Sequence, residues 1–329
     1  MPVQRITTMP NRLLAALMLI LLIAGAPVIG AKGQISVTLL GTGAGPGGGG
    51  RGMITKRANA ITLIEAGGLV LVFDAGRGLV ERLAAADERL IGRADKLFLT
   101  HLHSDHLTGL ADLLLTGSAL GRRGALRLWG PPGTEEMARH LEKAFAWDIK
   151  YRSNRRRPAA SLEPKDVQAG RIFAEAGVTV TAFAVDHWPP RLDASARSQF
   201  PALGFRIEHG GRSVTLSGDT RFSENVIRAA KGTDLLIHEV SMTAGRAPAA
   251  GRGRRSAHHT SPEQAGEGFR RAQPRLAVYS HIVFGRQGAS GGEDALIRRT
   301  RTAYNGPLAI GRDMMRIEVG DEVRVLNPN

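Results

Sequence analysis

The stretch "THLHSDH", residues 100–106, puts His101, His103, Asp105 and His106 into six positions of a chain with only ten histidines in 329 residues. Clustered imidazoles lose solvation and repel one another as they protonate, so something must hold such a cluster together, and a metal ion is the candidate. His101 and His103 lie two apart behind the apolar run Leu97-Phe98-Leu99, and at a strand end that spacing turns both rings the same way. Asp105 and His106, after the following turn, face a neighbouring point. Two adjacent metal positions are therefore natural, each with too few local ligands. Zinc of the hydrolytic kind takes imidazole and carboxylate and keeps one position open for water; manganese and iron accept the same nitrogen and oxygen donors. The chain has no cysteine, so thiolate ligation, disulfides and a cysteine-linked lipid anchor are excluded.

The missing ligands must come from elsewhere. His187 in "VDHWPP", Asp219 in "LSGDT" and His281 in "YSHIVFG" each follow an apolar run and precede a turn. Any one of them alone reads as a satisfied polar group of the core. With the first cluster they make seven, the number that two three-ligand sites and one bridging carboxylate require.

Those residues need strands that end at a common place, and the apolar patterning supplies them. Residues 34–43 alternate, 59–76 read as two strands joined at Gly67-Gly68, and 95–99 form a short buried strand that runs into the histidine loop. Helical spacing covers 77–90, 107–120 and 134–147, the last with Thr134 as its expected N-cap and acids in its first turn. In the second half, 177–188, 201–220 (turning at Gly210-Gly211), 234–240 and 274–285 are strands. Residues 224–230 and 261–272 are helices, the latter capped by Ser261 with Pro262 at its first position. A hairpin over 315–326 ends the chain. Two halves of this kind imply an α+β fold of two mixed sheets face to face, with helices outside.

The histidine motif, with "GTGAG" before it and "SGDT" after, resembles the metallo-β-lactamase superfamily from about residue 35 onward. The resemblance implies an αββα sandwich with a dinuclear site between the sheet edges. One metal would take His101, His103 and His187, the other Asp105, His106 and His281, and Asp219 would bridge them. Asp74 in "LVFDAG" would support the site without being a ligand. Within the superfamily, "LIHEV" (236–240) and "HHTSPEQAG" (258–266) resemble motifs of ribonuclease Z and of the related arylsulfatase-like enzymes. His259 then fits as the catalytic histidine, oriented by Glu239, and Asp105 as both ligand and orienter of the nucleophile. His140 and His209 read as exposed; His238 and His258 are left open.

The remaining composition bears on partner and location. Formal net charge is +14, which attracts nucleic acid or an anionic surface and equally reflects a genome rich in arginine codons. Local basic clusters stand at 150–158 and 252–255. Neither is interleaved with enough aromatics for a base-stacking platform, and both read as solvated loops. The glycine-rich 41–52 lacks the sequence that would make it a nucleotide-phosphate loop and reads as a loop beside the site, with Arg51 or Arg57 meeting a substrate anion. Trp188 either walls the pocket or packs. Residues 1–31 carry two arginines, then an apolar stretch from Leu13 and small residues up to Ala31, which fits a signal peptide or, uncleaved, an N-terminal membrane anchor. The hydrolase domain would then span 32–329, and the protein would be periplasmic or secreted.

On these grounds the main reading is a dinuclear zinc hydrolase, arylsulfatase-like or phosphodiesterase-like, acting on a small anionic phosphodiester or sulfate ester. The alternative is a ribonuclease Z-type transfer-RNA 3′-processing enzyme. Against it stand the export segment and the 32-residue spacing between His187 and Asp219, too short for the long arm with which that family grips RNA. A third reading is a basic nucleic-acid-binding protein with a structural metal. Resemblance to ribonuclease Z also implies a homodimer. Cell fractionation is expected to recover a chain beginning near Lys32 outside the cytosol; a full-length chain in the cytosolic fraction would end the export reading.

Overall fold

The computed structural model describes residues 33–45, 57–154, 158–188, 193, 195, 198–244, 258–284 and 292–326. The export segment, Arg51, the cluster at 252–255 and residues 155–157 of the other basic cluster lie outside the described residues. Among the described residues no helix is long and apolar enough to cross a membrane.

The first half lays down β1 (Ile35–Gly41), β2 (Ile61–Ala66), β3 (Leu69–Phe73), α1 (Leu79–Asp87), α2 (Arg89–Arg93) and β4 (Lys96–Phe98). A single 3₁₀ turn over Ser104–His106 leads to α3 (Leu110–Ala119), β5 (Leu126–Gly130), α4 (Thr134–Ala144), α5 (Ala146–Arg152) and β6 (Leu162–Asp166). The second half comprises β7 (Gly170–Glu175), β8 (Val178–Val185), β9 (Ala202–His209), β10 (Arg212–Leu216), α6 (Glu224–Ala229), β11 (Leu235–Ser241) and α7 (Pro262–Ala272). It closes with β12 (Leu276–Val283), α8 (Gly292–Thr300), β13 (Leu308–Ile310), β14 (Met315–Val319) and β15 (Val323–Leu326).

The strands form two sheets, ordered β15-β14-β1-β2-β3-β4-β5-β6 and β13-β12-β11-β10-β9-β8-β7. Their inner faces share one core. Ile64, Leu71, Phe73 and Phe98 of the first sheet meet Val180, Phe205, Leu216 and Ile237 of the second. The alternate residues of β2 to β4, such as Leu63, Val72 and Leu97, pack outward against α1 to α3. Phe269 of α7 and Leu296 of α8 cover the other sheet with Val240 and Ala277. Strands buried on both faces need apolar residues at nearly every position, which is why β3 reads Leu-Val-Leu-Val-Phe without alternation. The result is the expected αββα sandwich.

Several local expectations are corrected. Residues 77–90 are two helices, broken at Glu88. Gly133, at φ 102°, takes the N-cap position of α4, while the Thr134 hydroxyl donates to the Pro131 carbonyl at 2.7 Å. The basic stretch at 150–158 begins as helix α5 and is not wholly loop. The two halves are also not separate sheets, because the C-terminal hairpin crosses over and pairs with β1 in the first one.

Within each sheet a parallel block sets the site. β3, β4, β5 and β6 run parallel, as do β10, β11, β12 and β13. Side chains just beyond the C-terminal ends of these strands converge on one edge, the usual place for ligands in such sheets. Gly218 makes the turn that presents Asp219. It sits at φ +60°, and a Cβ there would lie 2.4 Å from the Leu203 carbonyl oxygen. Gly218→Ala is expected to cost about 1–3 kcal/mol of stability in denaturant unfolding; an unchanged midpoint would show that this turn is not constrained.

Candidate metal centre

His101 follows β4, His187 follows β8, Asp219 follows β10 and His281 lies within β12. Asp74 and His281 hold left-handed backbones, at φ 61° and 44°, so both side chains are aimed by strained backbone. His101 Nε2 and His103 Nδ1 approach to 2.9 Å, and His187 Nε2 lies 3.2 Å from the same His103 atom. His281 Nε2 is 3.3 Å from Asp105 Oδ2 and 3.2 Å from Asp219 Oδ2. His106 Nε2 is 3.6 Å from a carboxylate oxygen of each aspartate. Asp219 also comes within 3.7 Å of His187 and 4.0 Å of His101, so its carboxylate stands between the two triads.

The far nitrogens explain why the near ones face inward. Thr100 Oγ1 lies 3.0 Å from both Asp74 oxygens and 3.0 Å from His101 Nδ1, so its hydroxyl donates to Asp74 and accepts from the imidazole. His106 Nδ1 donates to Asp74 Oδ2 at 2.8 Å. His187 Nδ1 donates to the His258 carbonyl at 3.0 Å. In the neutral ring each of these bonds fixes the tautomer that leaves Nε2 as a lone-pair donor toward the centre.

This donor set fits a divalent metal ion. Nitrogens bound tetrahedrally to zinc stand about 3.3 Å apart, close to the spacing around His103. His106 Nε2 is buried without a hydrogen-bond partner and points between two carboxylates. Three inward lone pairs at the first triad would repel unless a cation lay among them. His103 is the exposed member and marks the open side.

Electrostatics divide the histidines. Burial lowers the pKa of His101, His103 and His187, so their rings stay neutral and able to ligate. Burial also opposes charge on His106, but Asp74 and Asp219 outweigh it and raise its pKa well above the ordinary range. Asp105 and Asp219 are buried as well, yet neighbouring imidazoles, His281 foremost, hold both below the usual carboxylate range. At the rim, His259 Nδ1 lies 3.2 Å from Glu239 Oε2. Burial works against its cation, but Glu239 prevails and pushes the pKa up to about 9. Glu239 is itself fixed, its Oε1 accepting from the amides of Thr260 at 2.9 Å and Thr220 at 3.3 Å.

Known proteins resemble this chain over most of its length. Residues 70–282 match the family model of the beta-lactamase superfamily domain. A ribonuclease Z of Mycolicibacterium gilvum (strain PYR-GCK) is 33% identical over 295 residues, covering 87% of this chain and 96% of the relative. A ribonuclease Z of Mycobacterium sp. (strain KMS) is 35% identical over 298 residues with the same coverage. The crystal structure of the metallo-beta-lactamase fold protein YhfI from Bacillus subtilis has a TM-score of 0.62 at 18% identity, covering 87% of this chain and 99% of that one. The chain belongs to the metallo-β-lactamase superfamily, in its ribonuclease Z branch. It is a metal-dependent hydrolase of ester bonds, which retires the reading of a binding protein with a merely structural metal.

In this superfamily member the structure gathers all seven residues expected as ligands, together with Glu239 and His259, at one sheet edge. Other expectations change. Arg57 does not face the cleft as a free cation; it donates to Thr42 Oγ1 and the Gly311 carbonyl and pairs with Glu293. His209 is half-buried, 3.2 Å from the Gly177 carbonyl, while His140 is exposed as expected. His238 is a core residue packed on Phe269. His258 contributes its backbone carbonyl, which no side-chain pattern could announce. Trp188 is 6% exposed, with the Arg221 guanidinium 4.2 Å over its ring. Thr100, next to the first histidine, was missed; its hydroxyl so near the motif was the available signal.

Asp74 holds the His106 imidazole directly and that of His101 through Thr100, and asparagine tolerates its left-handed backbone. Asp74→Asn is therefore expected to weaken metal binding about 10–100-fold in a chelator competition titration. Wild-type affinity in that variant would remove Asp74 from the account.

Proposed function

We propose that this hydrolase cleaves a phosphodiester bond of RNA, as a ribonuclease Z-type endonuclease, using two zinc ions. His101, His103 and His187 would hold one ion, Asp105, His106 and His281 the other, with Asp219 between them. The observation that carries the reading is the near end-to-end match to relatives named ribonuclease Z, at 33% and 35% identity. The ions when bound would supply a water ionised near neutrality and positive charge for the anionic ester oxygen.

The chain's own groups account for the rest of the reaction. Asp105 Oδ2 accepts from the Gly45 amide at 2.7 Å, which fixes the carboxylate that would orient the attacking water. As that water's oxygen bonds to phosphorus, the bond to the leaving oxygen breaks and an alkoxide departs. His259, held in its protonated form by Glu239, would give that alkoxide its proton from Nε2, since Nδ1 faces Glu239. Glu239 acts through His259 and so positions it.

A second reading, an arylsulfatase-like enzyme for a small phosphodiester or sulfate ester, has its own observation. The hairpin of β9 and β10 takes up about half of the interval from His187 to Asp219 and turns tightly at Gly210-Gly211, and among the described residues no long arm stands there. Export of the protein, as expected from residues 1–31, also suits that reading. The match to nearly the whole length of the relatives weighs the other way.

One panel separates the two. Zinc-loaded protein would be given a transfer-RNA transcript with a 3′ trailer, bis(p-nitrophenyl) phosphate and an aryl sulfate. The expected outcome is site-specific cleavage of the transcript, with kcat falling about 10²–10⁴-fold in His259→Ala at unchanged metal content. Turnover of the small esters alone would establish the second reading, and turnover of none would overturn both.

A further inference from the structure

Helix α5 carries a feature that the metal centre does not use. Trp147 and Tyr151, one helical turn apart and so on one face, are each 74% exposed. Their rings stack with centroids 5.1 Å apart and planes within 6° of parallel. The other two tryptophans, Trp129 and Trp188, are 7% and 6% exposed. The pair is not a misplaced piece of core, because the opposite side of α5 is already occupied: Ile149 lines a small cavity with Leu115 and Ala119 at the last turn of α3.

Basic residues accompany these rings along the chain. Lys143 and Lys150 are exposed on the same α4–α5 segment. The nearest carboxylate, Asp148, is engaged by Arg152 at 2.8 Å. Exposed Arg123, just past the last turn of α3, and exposed Arg93, at the end of α2, line a cleft of about 240 Å³. Flat aromatic faces set among positive charge are what unpaired bases and their phosphates recognise. A membrane-surface helix instead spreads apolar side chains along many turns. Here there are two turns and one closed stack.

We propose that α5 is an RNA-docking platform, with bases stacking on the Trp147–Tyr151 pair and phosphates meeting Lys143, Lys150, Arg93 and Arg123. The proposal rests on the RNA reading above and gives it the grip that the short β9–β10 hairpin lacks. Helix α3 starts just beyond His106 and ends against α5, so its ten residues set a separation of about 15 Å. A stacked strand advances about 3.4 Å per nucleotide, which places the platform several nucleotides from the scissile phosphate. A small diester in the metal cleft cannot touch both.

The test compares wild type with the double variant Trp147→Ala/Tyr151→Ala, both zinc-loaded. The probes are the trailer-bearing transcript, a single-stranded oligouridylate, bis(p-nitrophenyl) phosphate and phosphatidylglycerol-containing vesicles. The transcript KM and the oligouridylate Kd are expected to rise about tenfold or more, with small-diester hydrolysis unchanged. Trp147→Phe/Tyr151→Phe should restore most of the affinity. Equal RNA affinity in wild type and the alanine variant overturns the platform, even if the transcript is cleaved. Loss of oligouridylate affinity in a protein that cleaves no RNA keeps the platform and sinks the substrate reading. Vesicle binding that disappears in the double variant, with RNA binding intact, overturns it in favour of a membrane surface.

Discussion

Asp219 is 3% exposed and has ring nitrogens of His101, His106, His187 and His281 within 4.0 Å. A carboxylate buried that deeply costs several kcal/mol unless positive charge or donors surround it. The protein meets this by bringing imidazoles from both sheets to one point and tying the far side of three of them to fixed acceptors. Thr100, Asp74 and the His258 carbonyl therefore matter as much as the ligating atoms, because they decide which nitrogen faces inward. The centre is organised by hydrogen bonds before any ion contributes, and that preorganisation keeps an ion's coordination from being left to flexible side chains.

The sandwich exists to hold that point still. Phe98 stacks between Phe73 and Trp129, with centroids 4.9 and 4.8 Å away, directly behind the strand that delivers His101. The second sheet contributes Phe205 against Phe73 at 5.4 Å. Packing of this kind fixes the spacing between the sheets, and the spacing fixes whether His101 and Asp219, one from each sheet edge, can meet. Backbone strain at Asp74 and His281 is sustained by this surrounding order.

Much of this was legible because each ligand follows an apolar run, and apolar runs mark strands. β1 to β4 and β8 to β12 were readable on that ground, as was α7 with its Ser261 capping box. The elements that escaped are those without such a signal. β6 reads Leu-Glu-Pro-Lys-Asp, the charged and proline-bearing sequence of an edge strand, which periodicity cannot separate from a loop. β7, β13 and α8 are short or polar for related reasons. The seven candidate ligands came from residue type and position, but their orienting partners include a backbone carbonyl, invisible in any string of side chains. The aromatic pair on α5 escaped because the residues between and around it are charged; only the helix turn brings the two rings together.

The crossover of the last strands has a consequence for how the molecule is made. β14, near the end of the chain, pairs with β1, near its beginning, and Asp313 accepts from the amides of Thr42 and Ala58. During synthesis, therefore, the first sheet keeps one side of β1 unpaired until Met315–Val319 emerge from the ribosome. The nascent chain carries an open sheet edge until then, and the first sheet is completed by strands made after every strand of the second. Loss of Met315–Val319 would therefore strip β1 of its β14 partner and reach the interior of the first sheet, whereas β15 beyond it lies at the sheet's edge.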